Sequence, residues 1–377
     1  MFAVDDELEA LQATAAAVAE RELRPRLRDA ERAGRLDDRV LAVLDDLALA
    51  ALDVDETVGG AGAGCLAKIT VLEELARGDA GGLAAADPIG PTAGAIAACP
   101  DRDVASTVVT DALAHRGRAA LAVIDPDERD RSGSPPLAWA PDAPPLRWLW
   151  TIAGDRLCLA AVPDDATSPL AEPALAFAAS GAVELADGRA EVSATWDLRP
   201  GAGAEVRARA RLWAAAVAVG VAQDAFDATI AYTTERVVFG RPVAHHQGNA
   251  FELAALATRV HGARLVVRDA AARFDRGPTT TGDEAAAAFW ATQAWFDAIG
   301  TAVAVTDAGV QLLGGHGFLV DHPAEKRFRE ARMLGLLHGG EDAARSDLAD
   351  AVLDVADPLF DGIGAADPAR VTGEVAG

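Results

Sequence analysis

Apolar positions along the chain fall into three regimes. From residue 5 to about 115 they recur at helical spacing. Residues 5–28 form a polar, Ala-rich amphipathic pattern, and residues 37–52 form another, with Leu41, Val43, Leu44, Leu47 and Leu49 apolar. A Gly-rich break at 56–64 separates these from a further helix through 71–79. From about 118 to 200 the period drops to two, and strands are predicted at 119–124, 146–152, 157–162 and 190–196. The Pro-rich stretch 134–145 reads as a surface loop. From Ala204 the helices are long. One face of the first carries Leu212, Val219, Phe226, Ile230 and Val237; the second carries Leu253, Leu256, Val260 and Val267. Thr281 with Glu284 predicts a capping box for the third, whose face is Phe289, Phe296, Ile299, Val303, Val310 and Leu313. Shorter helices follow at 324–337 and 341–355, then a loose tail. The pattern predicts a mainly α, α+β chain: an N-terminal helical domain (1–117), a small middle β domain (118–203), a C-terminal four-helix bundle (204–356) and a tail (357–377).

Composition narrows what such a chain can do. At 377 residues it can bury a large core, and 51% apolar residues with only 5% aromatics suit close-packed helices. The formal charge of −24 argues against nucleic acid as a partner, because phosphate neutralisation needs basic faces. It leaves room for an anionic ligand, which responds to a local arginine rather than to the total. Lysine is confined to Lys68 and Lys326. Cys65, Cys99 and Cys158 stand far apart without metal spacing and read as reduced thiols. The N-terminus is acidic at once, unlike a signal peptide, and no uninterrupted apolar run approaches the roughly 20 residues of a membrane span. The expectation is a soluble cytoplasmic protein.

Two stretches invite a ligand. The Gly-rich break 56–64 resembles a phosphate loop only in its glycines. No Gly-Lys-Ser/Thr follows, and no acidic residue completes a dinucleotide fingerprint. A helix-to-helix connection is the better reading. Residues 232–254 join two long helices through Arg236, Phe239, Gly240 and Pro242, then His245, His246 and Gln247, with the second helix starting near Gly248. A guanidinium fixed at such a junction can grip a diphosphate with two hydrogen bonds, although an arginine at a helix end is commonly a solvated charge. His245 and His246 lack a third ligand at metal spacing, so no metal is expected.

Further motifs follow in order: Gln311-Leu-Leu-Gly314-Gly315-x-Gly-Phe318, then Pro323, Glu325, Arg329 and Arg332. With Arg236-x-x-Phe239-Gly240, Gln247 and the earlier Gly-rich loop before Leu-Glu-Glu-Leu-Ala-Arg-Gly-Asp79, the chain resembles the acyl-CoA dehydrogenase family over nearly its whole length. The resemblance implies a flavoprotein oxidoreductase of lipid metabolism. Such enzymes remove the α proton of an acyl-CoA with a glutamate and pass the β hydride to FAD, at a subunit interface. It implies that Arg236, Phe239, Gln247, Gln311, Gly314 and Gly315 bind the diphosphate and adenosine half of FAD held by a neighbouring subunit. It also implies acyl-CoA as substrate and an electron-transfer flavoprotein as electron acceptor.

The catalytic positions depart from the family. Its Tyr-Glu-Gly-Thr-Ser segment aligns with 337–341, where His338 takes the glutamate's place and Gly340 the threonine's. The alternative base position falls near Ala210, beside Arg211, without a carboxylate. The flavin-holding Thr-Glu-Pro motif appears as Ile124-Asp125-Pro126, and its tryptophan-bearing strand is not recognisable around Trp148 and Trp150. Three readings follow. The chain is a partner subunit that lends its clamp to a homologous catalytic subunit; or it is self-sufficient as a homo-oligomer, with Glu341, Asp342 or His338 as a relocated base; or it is a non-redox acyl-CoA-binding or scaffolding protein.

Overall fold

The computed structural model describes residues 6–33, 36–115, 118–123, 137–141, 146–163, 168–169, 180–184, 191–277 and 283–354. The first helical pattern is broken more than its periodicity suggests. Helix α1 (Asp6–Val18) passes through a π turn (Ala19–Leu23) and a 3-10 turn (Arg24–Arg26), with Pro25 inside it, into α2 (Leu27–Ala33). Helix α3 (Asp38–Asp46) opens where Asp37 accepts the Arg39 amide at 2.8 Å. The Gly-rich break then folds back on the chain before it: the amides of Ala61, Gly62 and Ala63 donate to Ala51, Val54 and Leu52. Its donors are spent on backbone, as a connection requires and a phosphate cradle does not allow.

Helix α4 (Cys65–Ala86) follows, and its N-terminus is capped from far away. Asp275 accepts the Cys65 and Leu66 amides at 2.6 and 2.8 Å. A carboxylate thus already occupies the place where a helix would receive an anion. Helices α5 (Ala93–Ala98) and α6 (Arg102–His115) lead into the sheet region.

There, β1 (Arg118–Val123), β3 (Leu146–Ala153), β4 (Arg156–Ala161) and β7 (Glu191–Asp197) form one sheet in the order β1-β3-β4-β7. The β1–β3 pair is parallel and the others antiparallel. These are the four predicted strands. A second, antiparallel sheet of β2 (Leu137–Pro141), β6 (Ser180–Glu184) and β5 (Ser168–Pro169) corrects the loop expected at 134–145. Proline discouraged a strand there, yet Pro141 stands at the end of β2, where a missing ladder donor matters least.

The C-terminal half is built on α7 (Ala202–Glu235), α8 (Gln247–Arg276), α9 (Asp283–Leu313), α10 (Ala324–Leu334) and α11 (Gly340–Asp354). Every residue of α7 from Ala210 to Ala222 is buried, so this helix is the centre of the molecule rather than an amphipathic wall. Small side chains permit that. A Cβ on Gly220 would lie 2.3 Å from the Glu73 carbonyl, so α7 touches α4 almost backbone to backbone. Glu73 in turn binds Arg264 and Arg268 of α8. One core thus runs continuously from α1 and α4 into α7, α8, α9 and α11. The stretches of α7 and α9 long and apolar enough to cross a membrane are core segments, 67% and 50% buried. Val237, expected on the α7 face, lies beyond the helix end and is exposed. Thr281, residues 124–126 and the tail after 357 lie outside the described residues.

Candidate functional site

At the end of α7 the chain makes a tight hairpin. Helical geometry stops at Arg236, and β8 (Val237–Val238) pairs with β9 (Arg241–Pro242) across the two-residue turn Phe239–Gly240. Both turn residues have positive φ, +51° and +82°, the geometry that two-residue hairpins favour. Glycine adopts it freely. Phenylalanine does so at a cost of about 1 kcal/mol or more, and Phe239 is nevertheless 95% exposed. Strain and an exposed aromatic ring at one position do not serve the isolated chain.

The other expected clamp residues share this exposure. Arg236, Gln247, Gln311, Gly314 and Gly315 all face solvent. Among the described residues the Arg236 guanidinium and the Gln247 and Gln311 amides make no side-chain hydrogen bond, whereas neighbouring Arg241 donates to His246 Nδ1. Gln247 is the first residue of α8, where backbone amides are unspent. The turn after α9 is open: a Cβ on Gly314 or Gly315 would meet nothing within 4 Å, and Gly314 has φ +58°.

A link the sequence does not display joins the hairpin helix to that turn. Tyr232 Oη and His316 Nδ1 share a hydrogen bond of 2.8 Å, and His316 stacks on His322 at 5.0 Å. The end of α7 and the Gly-Gly turn therefore sit at one end of the bundle. Exposed Phe251, Phe318, Leu319 and Val320 adjoin these segments. His246 is a piece of the hairpin, its Nε2 3.1 Å from the Val238 carbonyl, and no metal-holding cluster exists among the described residues.

The second expected site is buried. Arg211 is 1% exposed and binds Asp347 Oδ2 at 2.5 Å and Thr292 Oγ1 at 3.2 Å, all through Nη1. Its guanidinium lies 5.9 Å from the Trp295 ring. Among the described residues Nε and Nη2 have no partner. Each orphaned donor of this kind costs about 1–3 kcal/mol, and burial pushes the Arg211 pKa below its usual range, against the pull of Asp347. His338 follows α10 with φ +55°, and Gly339 and Gly340 continue at +94° and +70°. Although His338 is half-buried as a residue, its Nε2 is closed from solvent and has no partner among the described residues. Burial, with Arg211 nearby, pushes its pKa down to about 3. A side chain so hard to protonate is a poor proton carrier at neutral pH.

Glu341 is engaged elsewhere. It stands in the first turn of α11, and Arg345 donates to its Oε2 at 2.7 Å, while Asp342 accepts from the same arginine at 2.9 Å. Asp347 and Thr292 were missed by sequence reasoning, since they lie 136 and 81 residues from Arg211 and belong to no motif. Of the two tryptophans beside the expected flavin strand, Trp148 donates to Asp111 at 2.9 Å, and Trp150 is buried 6.1 Å from Trp196. A cavity of about 610 Å³ opens between the end of α5 and the start of α7. Its Arg102, Arg199 and Arg209 are matched by Asp55, Glu205 and Asp53, so it offers an anion little.

The N-terminal domain of acyl-CoA dehydrogenases matches residues 5–98, and the family's C-terminal domain matches 206–353. A probable acyl-CoA dehydrogenase of Mycobacterium leprae is 28% identical over 387 residues, covering 94% of this chain and 97% of that protein. Butyryl-CoA dehydrogenase of Megasphaera elsdenii superposes with a TM-score of 0.75 at 19% identity, over 94% of this chain and all of that one. A variant of the Tcur3481–Tcur3483 steroid acyl-CoA dehydrogenase superposes at 0.68 and 23% identity, over 93% and 98%. With both family domains matched in order around a small sheet, this chain belongs to the acyl-CoA dehydrogenase family.

Proposed function

We propose that this chain is the partner subunit of a heteromeric acyl-CoA dehydrogenase. It supplies the diphosphate and adenosine clamp for FAD, while a homologous subunit carries the catalytic carboxylate. One contrast carries the reading: the outward clamp is complete, and the inward base is missing. Arg236 is free to bind a diphosphate bidentately, Gln247 and the first α8 amides add donors, and Gln311 with the open Gly314–Gly315 turn allows close approach. Phe239 extends from its hairpin to pack on the adenosine side.

When bound, FAD supplies the hydride acceptor for α,β-dehydrogenation of an acyl-CoA. This chain's part is to hold and orient the group at the interface. The relocated-base reading has less support, because Glu341 is tied to Arg345 and His338 is held unprotonated. A scaffold would have no use for an unpaired Arg236. The name of the Tcur3481–Tcur3483 enzyme joins two designations, in keeping with a two-component assembly. In this reading electrons leave to an electron-transfer flavoprotein and the complex is cytoplasmic.

The test is flavin content by absorbance near 450 nm, for the chain alone and co-expressed with a homologous dehydrogenase subunit. Little flavin alone and about one FAD per heterodimer supports the proposal. In that complex Arg236→Ala strips the flavin, while His338→Ala leaves turnover intact. One FAD per chain in the lone protein, bleached by acyl-CoA, overturns it.

A further inference from the structure

The clamp reading leaves the interior cluster around Arg211 unused. It gathers polar nitrogens that lack partners. Among the described residues Arg211 Nε and Nη2, Trp295 Nε1 and His338 Nε2, the last a donor or an acceptor according to its tautomer, are all closed from solvent and unpartnered, and the Trp295 ring lies 5.9 Å from the guanidinium. The local charge is also unbalanced. Among the described residues Arg207 and Arg211 share a single carboxylate, Asp347, at 3.4 and 2.5 Å. In a chain of net charge −24, this pocket is short of negative charge among the described residues.

The surroundings give that deficit a direction. A Cβ placed on Gly339 would sit 4.0 Å from Arg211 Nη2 and 3.9 Å from Val123 at the end of β1. The guanidinium therefore faces the His338–Gly339–Gly340 turn, where α11 begins and its first amides add to the positive end. That turn holds three consecutive left-handed residues, one of them not glycine. Such strain concentrates where a segment serves a ligand. Gly339 is exposed, so the turn stands between the guanidinium and the molecular surface.

We infer that Arg211, His338 and the turn leading into α11 form an anion slot that accepts a small-molecule carboxylate. A planar carboxylate matches the two free guanidinium donors, Nε and Nη2, which lie on one edge of the fork. It supplies the acceptors that the pocket lacks and neutralises the second arginine. The inference rests on this chain's own residues and needs neither flavin nor a partner subunit.

The experiment is thermal unfolding of the full-length chain in sodium acetate and in sodium chloride at equal ionic strength. Acetate raises the Tm of the wild-type protein by several degrees more than chloride does. His338→Glu, which tethers a carboxylate beside the guanidinium, unfolds at or above the wild-type temperature and no longer distinguishes acetate from chloride. His338→Leu, which adds no acceptor, keeps the acetate response. An equal effect of the two salts on the wild-type protein overturns the inference, and so does an acetate response that survives in His338→Glu. Reading both variants against the same salts separates occupation of the slot from damage to the fold.

Discussion

A single imidazole sets a measurable pH dependence. In the unfolded chain His338 takes up a proton near its ordinary value of 6.5; in the folded chain burial holds it back until about pH 3. Between those values the unfolded state binds more protons, so stability falls as pH drops below 6.5. From pH 7 to pH 5 the loss attributable to this residue is about 1–2 kcal/mol. Urea unfolding at the two pH values, in buffer free of carboxylates, checks it: His338→Leu loses less stability over this interval than the wild-type protein. The residue itself stood out in the sequence, because the family resemblance sets it where a glutamate is expected. Its isolation was not, because that depends on Arg211 from α7, and Arg211 is held by Asp347 from α11. Contacts across 136 residues leave no periodicity to read.

Elements were legible to the extent that their burial was one-sided. Helix α8 follows its apolar stripe and the main sheet its alternation; in α9 only Ile299 and Leu313 of the expected face are buried, Phe289, Phe296, Val303 and Val310 are half-buried, and Ala291, Trp295, Ala298 and Ala302 take the core. The hairpin Val237–Pro242 was read as a break but not as a strand pair, since two-residue strands carry no pattern. Strand β2 was lost among prolines. The π and 3-10 turns between α1 and α2 were also missed, because amphipathic spacing survives a local change of pitch. Helix packing gives a sharp prediction at this scale. Gly220→Ala drives a methyl group against the Glu73 carbonyl, forces α7 from α4, and costs about 1–3 kcal/mol. Gly262→Ala, on α8 with nothing within 4 Å, instead stabilises by about 0.5–1 kcal/mol. Paired urea midpoints test both. Equal shifts would mean that the two helices have room to part.

At the scale of the whole molecule, the three regimes of the sequence were visible, but the sharing of one core by the first and last of them was not. That sharing acts before the protein is finished. Helix α4 leaves the ribosome about 120 residues ahead of the α7 segment that covers it. At about 5–20 residues per second, its apolar face waits roughly 6–25 s for a partner. A fragment ending at residue 200 should therefore be protease-sensitive and bind hydrophobic dyes, where a free-standing N-terminal domain would resist. The nascent chain thus carries an uncovered helix through about a third of its translation, and its yield in the cell depends on holding chaperones and on the speed of elongation through the sheet region.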